Sequence, residues 1–110
     1  MIKFRVLQVD SEKEAKAREQ GLSYKFTSLD VHKQMGTKPE REMYNCIFEG
    51  YTIVENESKY LELCEIIYKD SNLHHIEGWK GHSMSVSDII EIEGNFYYCD
   101  DIGFVKLEDF

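Results

Sequence analysis

The sequence predicts an α+β fold: an antiparallel sheet of about four to five strands with one main helix packed on it and short helical turns. Three observations carry this expectation. Residues 2–9, "IKFRVLQV", alternate in the manner of a strand, residues 57–70, "ESKYLELCEIIYKD", repeat apolar side chains at helical spacing, and residues 88–107 are β-rich runs broken by Gly94 and Gly103.

In the first run Ile2, Phe4, Val6 and Gln8 fall on one side and Lys3, Arg5 and Leu7 on the other. "SEKEAKAREQG" follows as a short solvated helix, with Ser11 as N-cap, Glu14 completing a capping box and Gly21 closing it. Tyr24 and Phe26 form a short extended piece, and Leu29, His32, Gln34 and Met35 one or two helical turns ended by Gly36. "MYNCIFEGYTIV" is a second strand, with Gly50 marking a bulge. After Asn56, a fitting N-cap, Tyr60, Leu63, Cys64, Ile67 and Tyr68 line one face of the main helix, which is core rather than cofactor box. Residues 71–82 read as a loop hinged at Gly78 and Gly81, and Gly94-Asn95 as the turn of a hairpin.

The chain of 110 residues, with one proline and no low-complexity stretch, is the size of a single domain spanning 1–110. No apolar run approaches a membrane span and the start carries no cleavable leader, so a cytoplasmic protein without a membrane partner is expected. Cys46, Cys64 and Cys99 are too few and too widely spaced for a disulfide framework or a metal knuckle, and read as reduced, mostly buried thiols. The net charge of −8 is uneven: residues 1–44 hold nine Lys/Arg against seven Asp/Glu, residues 45–110 four against fourteen. Such a field repels phosphate backbones, which disfavours direct nucleic-acid binding, and attracts proteins with a basic surface.

His74, His75 and His82 crowd one segment, but their spacing matches no metal-ligand set, so no metal and no cofactor is expected. Ser83, Ser85 and Ser87 with His82 and Asp88 hold the residue types of a nucleophilic triad without its Gly-flanked elbow. The favoured reading makes Ser85 to Asp88 a tight turn ahead of a strand starting at Ile89. Cys99 beside Asp100 is a poor candidate for an activated thiol. Trp79, between glycines, suits an exposed anchor and a plug for the end of the core equally well.

"GHSMSVSDIIEIEGNFYYCDDIGF", residues 81–104, resembles the C-terminal signature of the YodL-like domain of Gram-positive mobile elements. "YKFTSLD", "YNCIFEGYTI" and "LELCEIIYKDSNLHH" are similar to its earlier elements, so the resemblance covers residues 24–110 and leaves the first strand and charged helix, residues 1–23, as particular to this chain. Ile76 and Trp79 depart from the proline and phenylalanine common there, which implies a differently shaped loop. The resemblance implies a mobile-element context beside proteins that help incoming DNA survive, and no transferable catalytic mechanism. The chain is also similar in kind to small inhibitors of type II CRISPR–Cas systems.

Together these give three expectations. The leading one is a non-enzymatic effector that inhibits a host nucleic-acid-handling protein, Cas9 being the named partner, by placing Glu55, Glu57, Glu62, Glu65, Glu91, Glu93, Asp100 and Asp101, with Trp79, against a basic groove. The second is a small hydrolase or nuclease acting through His82, Ser85 and Asp88. The third is a structural module that docks other plasmid proteins.

Overall fold

The computed structural model describes residues 1–110. Strands β1 (Ile2–Val9), β2 (Tyr44–Thr52), β3 (Ile89–Ile92), β4 (Asn95–Cys99) and β5 (Phe104–Leu107) form one five-stranded sheet in the order β2-β1-β3-β4-β5. Every pairing is antiparallel. Helices α1 (Ser11–Glu19) and α2 (Leu29–Met35) lie between β1 and β2, and α3 (Tyr60–Leu73), entered through a 3₁₀ turn at Glu57–Lys59, lies between β2 and β3.

The alternation in β1 buries both faces rather than one. Phe4 and Val6 join Ile90, Ile92 and Tyr97 under Tyr60, Leu63, Cys64 and Ile67 of α3. Leu7 and Val9 join Ile89 and Tyr98 in a second core, closed by Tyr24, Tyr44, Ala17, Leu29 and the C-terminal Phe110. Leu7 does share a face with Lys3 and Arg5, as the alternation requires, but the segment from α1 to Tyr44 covers that face at one end only. Ile89, Ile90 and Ile92 are fully buried, each worth about 1.5–3 kcal/mol of transfer free energy.

Local signals set most element ends, with small shifts. Asp10, not Ser11, caps α1, accepting from Lys13 N at 3.0 Å. The bulge in β2 falls at Ile47, where the register moves from Val6 opposite Phe48 to Leu7 opposite Cys46. Gly50 serves a different need, since a Cβ there would lie 2.6 Å from Phe4 Cζ and 2.9 Å from Phe48 Cε2. The β3–β4 hairpin turns on Glu93 and Gly94, both at positive φ (50° and 79°), one residue earlier than the sequence suggests. That pair of left-handed residues makes a primed turn, whose twist suits flanking strands. Asn56 caps the 3₁₀ turn ahead of α3 through Ser58 N.

Glu14 has turned inward and is 4% exposed. Its carboxylate accepts from Tyr24 N at 2.8 Å, Lys25 N at 2.9 Å, Ser23 Oγ at 2.8 Å and Arg18 Nε at 2.8 Å. Burial pushes its pKa up, but these four bonds outweigh burial and hold it below the usual glutamate range. A group held lower in the folded state stabilises at neutral pH and loses that contribution as pH falls through the folded value. Glu14→Ala is expected to destabilise the chain by about 2 kcal/mol at pH 7, read by urea denaturation, because it orphans the Tyr24 and Lys25 amides. An unchanged midpoint would mean that water replaces the carboxylate.

Candidate functional site

A loop from α3 to the signature begins at His74. Asn72 clasps the returning chain in two bonds, its amide donating to Met84 O at 3.2 Å and its carbonyl accepting from Met84 N at 2.9 Å. Gly78, at φ 88°, turns the loop so that Trp79 lies against Phe48, ring centroids 5.4 Å apart, and Lys80 N bonds Ile47 O at 3.0 Å across the bulge. Trp79 is half-buried against the α3-side core, and its indole N–H donates to His82 O at 2.9 Å.

Gln8 is the centre of the segment. At 3% exposure on β1, it donates from Nε2 to His82 O at 2.9 Å and Asp88 Oδ2 at 3.0 Å, and accepts at Oε1 from His82 N at 3.2 Å. A side chain on residue 81 would place its Cβ 2.0 Å from that Oε1 and 3.3 Å from Ile47 Cβ, so glycine lets the loop pass without displacing the Gln8 amide from its bonds. The turn expected at Ser85 to Asp88 is present: Asp88 N bonds Ser85 O at 3.1 Å, Ser85 N bonds Asp88 Oδ2 at 3.0 Å, Ser87 sits at φ 88°, and β3 starts at Ile89.

The same turn holds the early "YKFTSLD" element. Ser87 Oγ accepts from Phe26 N at 2.9 Å, Tyr44 Oη donates to Ser87 O at 2.7 Å, and Tyr98 Oη donates to Thr27 O at 2.5 Å. Asp100 accepts from Leu29 N at 3.0 Å. Phe26 is left at φ 59° with its ring exposed beside His82, centroids 5.5 Å apart. Two non-glycine residues in left-handed backbone, joined by one hydrogen bond, are strain that the surrounding bonds hold in place.

His82 and Asp88 are therefore bonded to Gln8, and Ser85 to Asp88 through its backbone N–H, but the three side chains are not a relay. His82 Nδ1 lies 2.7 Å from Ser83 O, an acceptor only, so Nδ1–H donates to that carbonyl, and no bond joins His82 to Asp88 or to Ser85. His82 Nε2, Ser85 Oγ and Asp88 Oδ1 are buried without partners. A nucleophile needs a base within hydrogen-bond reach and the base needs an orienting group, and these side chains make neither contact. Burial pushes the Asp88 carboxyl up to about 7 against the opposing bonds from Ser85 N and Gln8. No three or more His, Cys, Asp or Glu side chains group so as to hold a metal ion. Cys64 and Cys99 are buried, with thiols pushed up to about 12 chiefly by that burial, whereas Cys46 is exposed on the edge strand β2.

The acidic residues divide into groups. Glu57, Glu62 and Glu65 are exposed on the α3 side of the sheet, with Glu93 in the hairpin turn. Glu65, Asp100 and Asp101 line one cleft beside Phe104, and Glu55 and Glu62 line another beside Ile53 and Ile66. Glu91 stands apart: it lies between Ile90 and Ile92, so it points to the opposite face, where Arg5 Nη1 is 3.2 Å away. Sequence reasoning missed Gln8, Glu14 and Phe26 as organising residues. The one signal for Gln8 was a lone amide in the register of Phe4 and Val6, a place where burial demands partners.

The fold defines a small α+β domain in which loop 74–88 is tied to β1 through Gln8 and, through Ser87, to Phe26 ahead of α2. The chain belongs to the YodL-like domain family, whose model matches residues 3–110. That match takes in β1 and α1, where the resemblance read from the sequence began only at residue 24. No curated protein and no solved structure matches the chain.

Proposed function

We propose that the chain is a non-enzymatic, acidic protein-binding effector of a mobile element, which inhibits a host nucleic-acid-handling protein by occupying its basic groove, with Cas9 the partner to test. One observation carries the reading. The excess acid of residues 45–110 is displayed around α3, where Glu55, Glu57, Glu62, Glu65, Glu93 and Asp101 are all exposed. Of the four lysines in residues 45–110, Lys59 and Lys69 lie at α3, and Lys59 is drawn to Glu62 at 3.7 Å. Such a surface repels nucleic acid and steers a basic protein onto itself. The family's mobile-element setting, as the sequence resemblance implies it, supports a target among defences against incoming DNA.

The experiment is a pulldown of the purified chain against Cas9 apoprotein, with and without preloaded guide RNA, followed by gel analysis of protein and RNA. Stoichiometric capture that excludes intact guide is the expected result. Binding should weaken at least about tenfold between about 50 and 500 mM salt, and a Glu57→Lys, Glu62→Lys, Glu65→Lys variant should lose it at the lower salt. Capture that survives both changes would overturn the electrostatic mechanism, and shortened RNA would overturn the non-enzymatic one.

A further inference from the structure

Where β2 gives way to the connector before α3, the chain leaves apolar surface that nothing in the fold covers. Ile53 is 80% exposed and Ile66, on the outer side of α3, 49% exposed. Between them runs a cleft of about 220 Å³, floored by Val54 and Leu63 and rimmed by Glu55, Lys59 and Glu62. That volume is room for about seven waters, enough for one aliphatic side chain entering from outside. Leu63 is itself core and 7% exposed, so the floor is held rigid by the packing beneath it.

We infer that this cleft is the anchor point for a protein partner, taking one aliphatic side chain that is flanked in the partner by lysine or arginine. The inference rests on the reading of the chain as a binder of basic proteins and adds to it the contact at which apolar burial supplements charge. Two features select such an occupant. The rim has two carboxylates against a single ammonium, and that ammonium is already directed at Glu62. A second copy of this chain would bring the same acidic rim against itself, with net charge −8 on both sides, so self-association is opposed. Apolar floor with charged rim is also the usual division of labour at interfaces, where the desolvated centre supplies affinity and the rim supplies orientation.

The test titrates the isotopically labelled full chain with a synthetic peptide carrying a central leucine between lysines, and with the same peptide carrying serine instead, following backbone amide shifts. The leucine peptide should bind about tenfold more tightly than the serine peptide, with the largest shifts within residues 53–66. Ile66→Ser should remove that preference and Ile66→Val should keep it. Both sites are exposed enough to vary without unfolding the chain, and Ile53→Ser provides a second variant with the same expectation. Equal binding of the two peptides, or shifts centred elsewhere, overturns the cleft whatever Cas9 does. Leucine-selective binding at residues 53–66 with no Cas9 capture sustains the cleft and overturns only the choice of Cas9.

Discussion

Gln8→Ala is expected to cost the fold about 2–4 kcal/mol, because it removes three bonds at once and leaves the His82 N–H without a partner, while His82 O keeps Trp79 Nε1 and Asp88 Oδ2 keeps Ser85 N. The loss should be read as a drop in urea midpoint with an unchanged slope, together with faster amide exchange through residues 79–88 than elsewhere. A second variant makes the argument specific. Gly81→Ala pushes a methyl carbon to 2.0 Å from Gln8 Oε1, so it should be severely destabilising in the native background. In the Gln8→Ala background most of that clash is gone, and the second substitution should then cost little. The coupling between the two sites should therefore be large, on the order of 2 kcal/mol. If the two costs simply add, Gln8 is not what residue 81 must avoid.

The second large effect is a dependence of stability on pH set by Asp88. Its folded pKa, about 7, is raised above the ordinary value of 3.8, mainly by burial. The folded state thus holds a proton that the unfolded state releases, and stability falls as pH rises from about 4 to 7, then levels. A shift of that size corresponds to at most about 4 kcal/mol, of which roughly 2–3 kcal/mol should be lost between pH 5 and 8. His32 runs the other way: buried and held neutral, it has its pKa lowered, so it removes stability as pH falls below the usual histidine range. The difference between wild type and Asp88→Asn isolates Asp88, since asparagine can keep a carbonyl toward Ser85 N and Gln8. The midpoint of the wild type should fall with pH relative to that of the variant, which keeps the opposite slope set by His32. Parallel profiles would mean that Asp88 is ionised in the folded chain throughout.

The same residues separate what was legible from what was not. The turn at Ser85 to Asp88 could be read because a buried lone carboxylate on a strand is costly and short polar side chains bond nearby amides. The stripe of Tyr60, Leu63, Cys64 and Ile67 could be read because helical spacing puts those positions on one side. Ser11 as the cap of α1 was a near miss: Asp10 is equally suited, and Glu14, which a capping box would have turned back to the helix start, is claimed by Tyr24 and Lys25. The eight acidic residues were read as one surface, and Glu91 shows the limit of that reading. Its neighbours in β3 fix its face, but its position relative to α3 depends on how the sheet is covered.

By itself, then, the sequence determined the α+β class, the strands and main helix, the turn at Ser85 to Asp88 and the acidic second half, because each is written in local periodicity, backbone preference or charge. Tertiary structure alone decided that both faces of the sheet are covered, that Gln8 bonds His82 across 74 positions of chain, and that Ile53 and Ile66 share a cleft. Those facts depend on which distant segments meet. A buried polar atom takes whatever partner the fold brings within bonding distance, and no local pattern records which one that will be.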